Sequence, residues 1–301
     1  MRRRPGEPGR ARIRRATTAR IADAGGVTTA VETDTGLFGP HSLTWRVHLE
    51  PVLYVGGIRA LILQALHPWV MIGTYQNSAL FDPAKAWARF MRTVEFVGIR
   101  TYGTTAEVEA AAGRVRRLHA KLRGHDPATG RAFRLDDPQG LLWVHCGEID
   151  SYVDVAVRAG ILDDADADRY VAESVRAAEI VGSPDAPRSR AELKAYFDEV
   201  RPRLRLTEEA ITGTVNLLTA RLPAPWSVKL TQPPVAALAF ATMPRWARRM
   251  YGSPGLPTTD LSATLALKAL RATVTRIPGP PEPPRMQRAR RLMAEAGTLP
   301  S

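Results

Sequence analysis

The chain has 301 residues, of which 45% are apolar and 24% charged, a composition that allows a large buried core in one big domain or two. Its formal net charge is +12; eight arginines against one glutamate in the first twenty residues supply +7, which leaves +5 for the rest. One cysteine, Cys146, excludes an intrachain disulfide and a cysteine metal cluster. No glycine-rich phosphate loop occurs, so nucleotide cofactors have no support.

The arginines near the N-terminus are not followed by an apolar block. We therefore expect residues 1–25 to form a disordered basic tail, and neither a secretory nor a twin-arginine signal. No apolar window of about 18 residues occurs, so no transmembrane span is predicted. These features favour a cytoplasmic protein. The basic tail leaves contact with an anionic membrane surface open and gives little support to nucleic-acid binding.

Long segments with helical periodicity dominate the sequence and alternating strand patterns are scarce, which predicts an all-α fold. Stretches rich in proline, glycine and aspartate separate the predicted helices. These helices are expected at residues 51–66, 83–97, 105–122, 138–159, 163–181, 190–200, 207–220, 233–242, 244–251, 261–275 and 284–296.

One histidine, His119, lies on the apolar side of a predicted helix over residues 104–123. Thr104 and Glu107 have capping-box spacing at the start of this helix. His119 follows Val115 by one turn along the apolar stripe, and Arg123 follows by another turn. An inward imidazole with a guanidinium on the same face suits an iron porphyrin, since the nitrogen can bind iron and the arginine a propionate. A histidine satisfied within the core is the common alternative.

A second predicted helix, at residues 83–97, carries Arg89 and Thr93 four positions apart on its apolar side. The threonine hydroxyl can donate a hydrogen bond to a small polar ligand, and the arginine can bind an anion. In the alternative interpretation, the Arg89 side chain extends to the surface and Thr93 bonds the carbonyl four residues before it.

Two further histidines are candidates with open alternatives. His145 lies on the apolar face of the helix predicted at 138–159, with Glu148 three positions on; it is either a haem-pocket donor or a buried histidine bonded to a carbonyl. His67 precedes Pro68, which should break the preceding helix. His67 either lines a distal pocket or, as we favour, caps the last carbonyls of that helix. Three others, at positions 41, 48 and 125, lie in loop-like or polar contexts.

Taken together, several separated motifs resemble the MpaB/rubber-oxygenase (latex-clearing-protein-like) family. Segments at residues 36–51, 56–68 and 246–252 extend the resemblance over about residues 36–271. The motifs that carry it are Arg89-x-x-x-Thr93, Tyr102-Gly103, His119-x-x-x-Arg123-Gly124, Trp143-Val144-His145 and Asp150-Ser151.

This resemblance implies a single large all-α domain, globin-like in character, that encloses one non-covalent haem b. It implies that His119 is the proximal iron ligand, that Arg89, Thr93 and Arg123 surround the haem, and that His145 lines the pocket. The implied chemistry is oxygenation of a small apolar substrate by dioxygen. The domain plan becomes a basic tail at 1–25, a catalytic domain at 26–278 and a C-terminal extension with a short helix at 279–301.

The sequence departs from rubber-cleaving members of that family in the distal pocket. Arg92 stands where they have a lysine that can approach the iron, and a guanidinium cannot coordinate a metal. We therefore expect a vacant, water-filled or substrate-gated sixth position, with Arg92 and His67 among the cofactor contacts. Residues 71–80 hold no acid where a pocket glutamate has been proposed as base, and Asp82 is the nearest.

Two other functions stay open at this point. One keeps the haem and replaces oxygenation with dehydrogenation or a peroxide-driven oxidation. The other is a haem carrier or sensor without catalysis. The sequence leaves the substrate, the electron donor and the oligomeric state undetermined.

Overall fold

A computed structural model describes residues 34–82, 84–219, 224–276 and 281–299. The chain from Thr35 onward clusters as one compact unit, and it is helical apart from one short hairpin, which confirms the predicted all-α class. The basic tail predicted at residues 1–25 lies outside the described residues. The helices are α1 Leu43–His48, α2 Leu53–Gln64, α3 Pro68–Asn77, α4 Ala86–Tyr102, α5 Thr105–Lys121, α6 Pro138–Arg158, α7 Asp164–Glu179, α8 Arg190–Val200, α9 Glu208–Leu218, α10 Trp226–Thr242, α11 Arg245–Met250, α12 Thr259–Val274 and α13 Pro284–Glu295.

The core is built on helices α2 and α6, which pack together more extensively than any other pair of the described helices. A Cβ at Gly56 would lie 2.9 Å from the Tyr152 ring, so the close approach of the two helices requires glycine at this position. At their other end, the Trp143 indole donates to the Gln64 carbonyl at 2.9 Å, and the Gln64 amide donates to the Val144 carbonyl at 2.8 Å.

A buried arginine ties three elements of this core together. Arg59 in α2 is 1% exposed and donates to Asp150 and Ser151 of α6, both at 2.8 Å. Its Nε also donates to the carbonyl of Thr242 at the end of α10, at 3.2 Å. The Asp150-Ser151 motif therefore has a structural partner on the opposite helix.

Two helices are missing from the sequence prediction, and one starts earlier than predicted. Helices α1 and α3 fall in segments read as loop; Pro68 begins α3 at its first turn, where the missing N–H costs nothing. Helix α10 starts seven residues before the predicted residue 233 and continues through Pro233 and Pro234. The carbonyls that these prolines leave without donors belong to Lys229 and Leu230, which are exposed to solvent.

A hairpin interrupts the predicted helical region after α5. Strand β1 Arg123–Asp126 pairs antiparallel with β2 Arg131–Arg134, and Gly130 closes the turn in the left-handed conformation at φ +69°. A Cβ at Gly124 would lie 2.2 Å from the Phe133 ring, so that strand pair depends on the glycine. The prediction that helix α5 continues to Arg123 is therefore wrong.

No single helix among the described residues is long and apolar enough to cross a bilayer. Helices α2 and α3 meet that criterion only as a pair, with a bend of 100° between them.

Candidate functional site

His119 lies in the last turn of α5 and is half-buried. Burial lowers the pKa of its imidazole, the nearby Arg89 charge lowers it further, and Asp136 acts in the opposite direction. The net direction keeps the ring neutral at pH 7. A neutral imidazole has a lone pair available for a metal.

Arg89 and Thr93 lie on successive turns of α4 and contact each other directly. Arg89 donates from Nη1 to Oγ1 of Thr93 at 2.7 Å. Thr93 thus accepts from Arg89 and does not make the backbone bond of the alternative interpretation. Thr93 is nevertheless exposed, so the prediction that it lies on the apolar side of the helix is wrong. The charge of Arg89 lowers the pKa of His119, and the helices that carry them, α4 and α5, pack against each other.

The positive charge at this site has no acidic partner among the described residues. Burial lowers the pKa of the half-buried Arg89, and repulsion from Arg92 one turn away lowers it further. The ion pairs of the described part of the chain include neither arginine. A partly desolvated cation such as Arg89 is stabilised by an anion.

Arg123 is positioned differently from the sequence prediction. It is the first residue of β1, exposed, and its Nη1 donates to the carbonyls of Ala120 and Leu122, both at 2.8 Å. It does not share a helix face with His119, because α5 ends at Lys121. Both residues are electrostatically linked to Asp136, whose pKa is lowered mainly by Arg134 and slightly by Arg123.

His145 is buried in α6 beside a strong ion pair. Arg100 and Glu148 form two parallel hydrogen bonds at 2.8 and 2.9 Å, and both side chains are largely buried. Burial lowers the pKa of His145 to about 4; the Glu148 charge raises it and the Arg100 charge lowers it. His145 is therefore a neutral buried imidazole on which the charges of this pair act.

His67 does not cap the preceding helix, so the favoured sequence interpretation is wrong. The backbone at His67 is extended and serves as the N-cap of α3, but the side chain makes no capping bond. Its ring lies 6.0 Å from the Trp143 ring, and its buried Nδ1 has no hydrogen-bond partner among the described residues. Burial lowers the pKa of His67 to about 4, with Asp137 raising and Arg203 lowering it.

A further histidine, His48, was not recognised from the sequence. It lies edge-on to Tyr152 at 4.8 Å, and its Nε2 is 3.1 Å from the Tyr170 hydroxyl. Burial and the Arg100 charge lower the pKa of His48 to about 3, against the raising effect of Glu148. The available signal was its spacing in α1, one turn after the fully buried Trp45.

The side chains present fit a haem in three respects. The neutral His119 supplies a nitrogen for iron, and Arg89 and Arg92 supply unpaired cations for two propionates. The same helices and α6 also expose apolar side chains that a flat macrocycle could cover, namely Met91, Val94, Leu118 and Val144. These side chains would hold the iron through one imidazole nitrogen, the propionates through guanidinium groups and the porphyrin ring through apolar contacts.

Other metal arrangements have less support in the described part of the chain. It contains no group of three or more His, Cys, Asp or Glu residues that could hold a metal ion. Cys146 is fully buried, and burial raises the pKa of its thiol, so it stays protonated and is a poor thiolate ligand.

Comparison with known proteins gives one family match. The model of the "ER-bound oxygenase mpaB/B'/Rubber oxygenase, catalytic domain" family matches residues 45–276. That range begins in α1, ends just after α12, and includes the whole site. No curated protein and no solved structure matches the chain.

Proposed function

We propose that this chain, which belongs to the mpaB/rubber-oxygenase catalytic-domain family, is a haem b-dependent oxygenase that acts on a small apolar substrate. Family membership supports an oxygenase in general. The observation that carries the haem assignment is a neutral His119 on which the charge of Arg89 acts, together with the lack of an ion pair at Arg89 and at its neighbour Arg92 among the described residues.

In this proposal, three side chains have separate tasks. His119 would hold the iron through an imidazole nitrogen, and its lowered pKa keeps the lone pair of that nitrogen free. Arg89 binds a carboxylate of the cofactor with the donors that Thr93 does not use. Because the Thr93 oxygen already accepts from Arg89, its own proton is available for a hydrogen bond to a small polar ligand. When bound, haem supplies dioxygen binding and redox chemistry at the iron.

The distal side should lack a protein ligand. Arg92 is exposed, and a guanidinium offers no lone pair with which to coordinate iron. His67 and His145 are the remaining imidazoles considered for the pocket. Both are buried, His67 beside Trp143 and His145 within α6, whereas His119 is half-buried at the end of α5. We therefore infer that no second protein residue would hold the iron.

A hemin titration followed by oxygen consumption tests the proposal. We expect one hemin per chain with a Soret band, and oxygen uptake that depends on an added small isoprenoid alkene. Products that gain two oxygen atoms support oxygenation, and products that lose two hydrogens support a dehydrogenase. Hemin binding without substrate-dependent oxygen uptake across such alkenes would favour a carrier. A protein that shows no Soret band would contradict the haem assignment itself.

A further inference from the structure

The five most exposed large apolar side chains of the described residues belong to residues 226–265, a stretch that includes residues of two helices in contact with each other. Two of them are on α10, two on α12, and one on the loop that precedes α12. Their exposed fractions are Trp226 79%, Leu256 72%, Leu230 71%, Leu261 62% and Leu265 59%. Single exposed leucines are common on soluble proteins, but a concentration of this size marks an interaction surface.

These side chains point away from the core on two neighbouring helices. Helix α10 packs on α2, helix α12 packs on α6, and the two also contact each other. The inward side of α12 is marked by the buried Ala263 and Leu267. Leu261 and Leu265 are each two positions from these residues, which places them on the opposite side of the helix. We call the outer surface defined by the five side chains the apolar face.

The charged side chains of the segment that carries the apolar face are mostly basic. Within the described residues 224–276, Asp260 is the one acidic residue, and five exposed cations take part in none of the ion pairs of the described residues: Lys229, Arg245, Arg249, Lys268 and Arg276. Asp260 is paired with Arg248, at 3.1 Å between Oδ1 and Nη1. Helix α10 contains no acid, and Lys229 is exposed between Trp226 and Leu230; Lys268 is exposed one turn after Leu265.

We propose that the apolar face is a docking surface for an anionic lipid bilayer. Tryptophan and leucine side chains can enter the boundary between headgroups and acyl chains, while flanking lysines bind anionic headgroups. A protein partner of ordinary composition would need an unusually acid-rich surface to match the same charge. This inference is independent of the haem assignment, and either could fail alone.

An apolar recess lies beside the apolar face. It lies between α2, α4, α9 and α10 and is lined mainly by apolar side chains, among them Ile58, Phe90 and Val228. Phe90 is the neighbour of Arg89 in α4, and Val228 lies between Trp226 and Leu230 in α10. The recess thus lies between the helix of the candidate site and the helix of the apolar face.

Vesicle co-sedimentation of the full chain tests the proposal. The probes are phosphatidylcholine vesicles with and without phosphatidylserine. We expect wild type to bind the anionic vesicles, and the double variant Trp226→Ser, Leu230→Ser to bind them at least about tenfold more weakly, since two large side chains no longer insert. Lys229→Glu with Lys268→Glu should weaken binding to the anionic vesicles only. Leu299→Ser, which changes an exposed leucine outside the face, is the matched control.

The N-terminal arginines are present in all of these variants, so their contribution cancels in the comparison. If the Trp226, Leu230 variant binds as tightly as wild type, the tail alone accounts for binding and the proposal is wrong. The other outcome is a wild-type chain that binds neither kind of vesicle and forms dimers. If the Trp226, Leu230 double variant is then monomeric, a second copy of the chain covers the apolar face. That result would also overturn the proposal.

Discussion

Arg89 donates a hydrogen bond from Nη1 to Oγ1 of Thr93 at 2.7 Å, so one side chain of α4 orients the other. The bond occupies a lone pair of the hydroxyl and directs its proton away from Arg89. The same guanidinium acts on His119 through its charge. Arg89, the proposed anion contact, is therefore linked to the proposed ligand-binding hydroxyl of Thr93 and to the proposed iron ligand His119.

Thr93→Val tests the role of the hydroxyl with little change in shape. We expect hemin affinity close to wild type and turnover lower by about fivefold, because one neutral hydrogen bond is worth about 1 kcal/mol. Substrate-dependent oxygen consumption and hemin titration measure the two effects separately. Thr93→Ser keeps the hydroxyl and should stay near wild type. Equal turnover in all three proteins would remove Thr93 from the pocket.

Arg89→Leu tests whether the unpaired cation binds a carboxylate. A charge-assisted hydrogen bond is worth about 1.5–3 kcal/mol, so hemin affinity should fall by about tenfold to a hundredfold. Hemin dimethyl ester, which lacks the charges, should bind wild type and the variant equally. Arg114→Gln, which changes an exposed arginine of α5, is the control. A loss of affinity of equal size for both porphyrins would mean that Arg89 acts only on the fold.

His67 should make the protein sensitive to acid. Burial depresses its pKa from 6.5 to about 4 in the folded state. Below pH 6.5 the unfolded chain takes up a proton that folded His67 does not, so stability falls as the pH falls towards 4. Between pH 7 and 5 this residue should cost about 2 kcal/mol of unfolding free energy.

His67→Phe keeps the ring beside Trp143 and removes the titrating group. Urea unfolding at the two pH values should then show a pH dependence smaller by that amount. His41→Phe, at an exposed position, is the control variant. An unchanged pH dependence in His67→Phe would show that His67 protonates freely in the folded protein.

The Arg100–Glu148 pair should be costly to break from one side. Although burial raises the pKa of Glu148, the Arg100 charge and hydrogen bonds outweigh it and hold that pKa below its usual value. Glu148→Gln leaves Arg100 buried without a counter-charge, which should lower the free energy of unfolding by about 3–5 kcal/mol. The double variant Arg100→Met, Glu148→Leu should lose less than the single one. A single-variant loss under about 1 kcal/mol in urea unfolding would mean that the pair is effectively solvated.

The parts of the fold that depend on local sequence were predictable. The capping box of Thr104 and Glu107 starts α5 in the structure, and the Asp137 cap with Pro138 starts α6. Both signals act within one turn of the chain, so they need no knowledge of distant contacts.

The parts that depend on tertiary contacts were not predictable from one sequence. The end of α5 depends on Gly124 packing against Phe133, a contact across a hairpin with weak strand signals. The polar contact of His48 is made by Tyr170, which lies 122 residues away in the sequence. Helical spacing within α4 predicted that Arg89 and Thr93 lie one turn apart. That α4 and α5 lie next to each other could not be derived from spacing, and only the family resemblance suggested it.

The identity of the axial ligand is the claim on which the proposed function depends. The most direct measurement is the ferric absorption spectrum of the hemin-loaded protein and its variants, with free imidazole added. We expect His119→Ala to lose the histidine-ligated spectrum and imidazole to restore it, while His145→Ala keeps the wild-type spectrum. Circular dichroism should confirm that both variants are folded. If His145→Ala loses the spectrum and recovers it with imidazole, while His119→Ala remains like wild type, the assignment of the iron ligand is wrong.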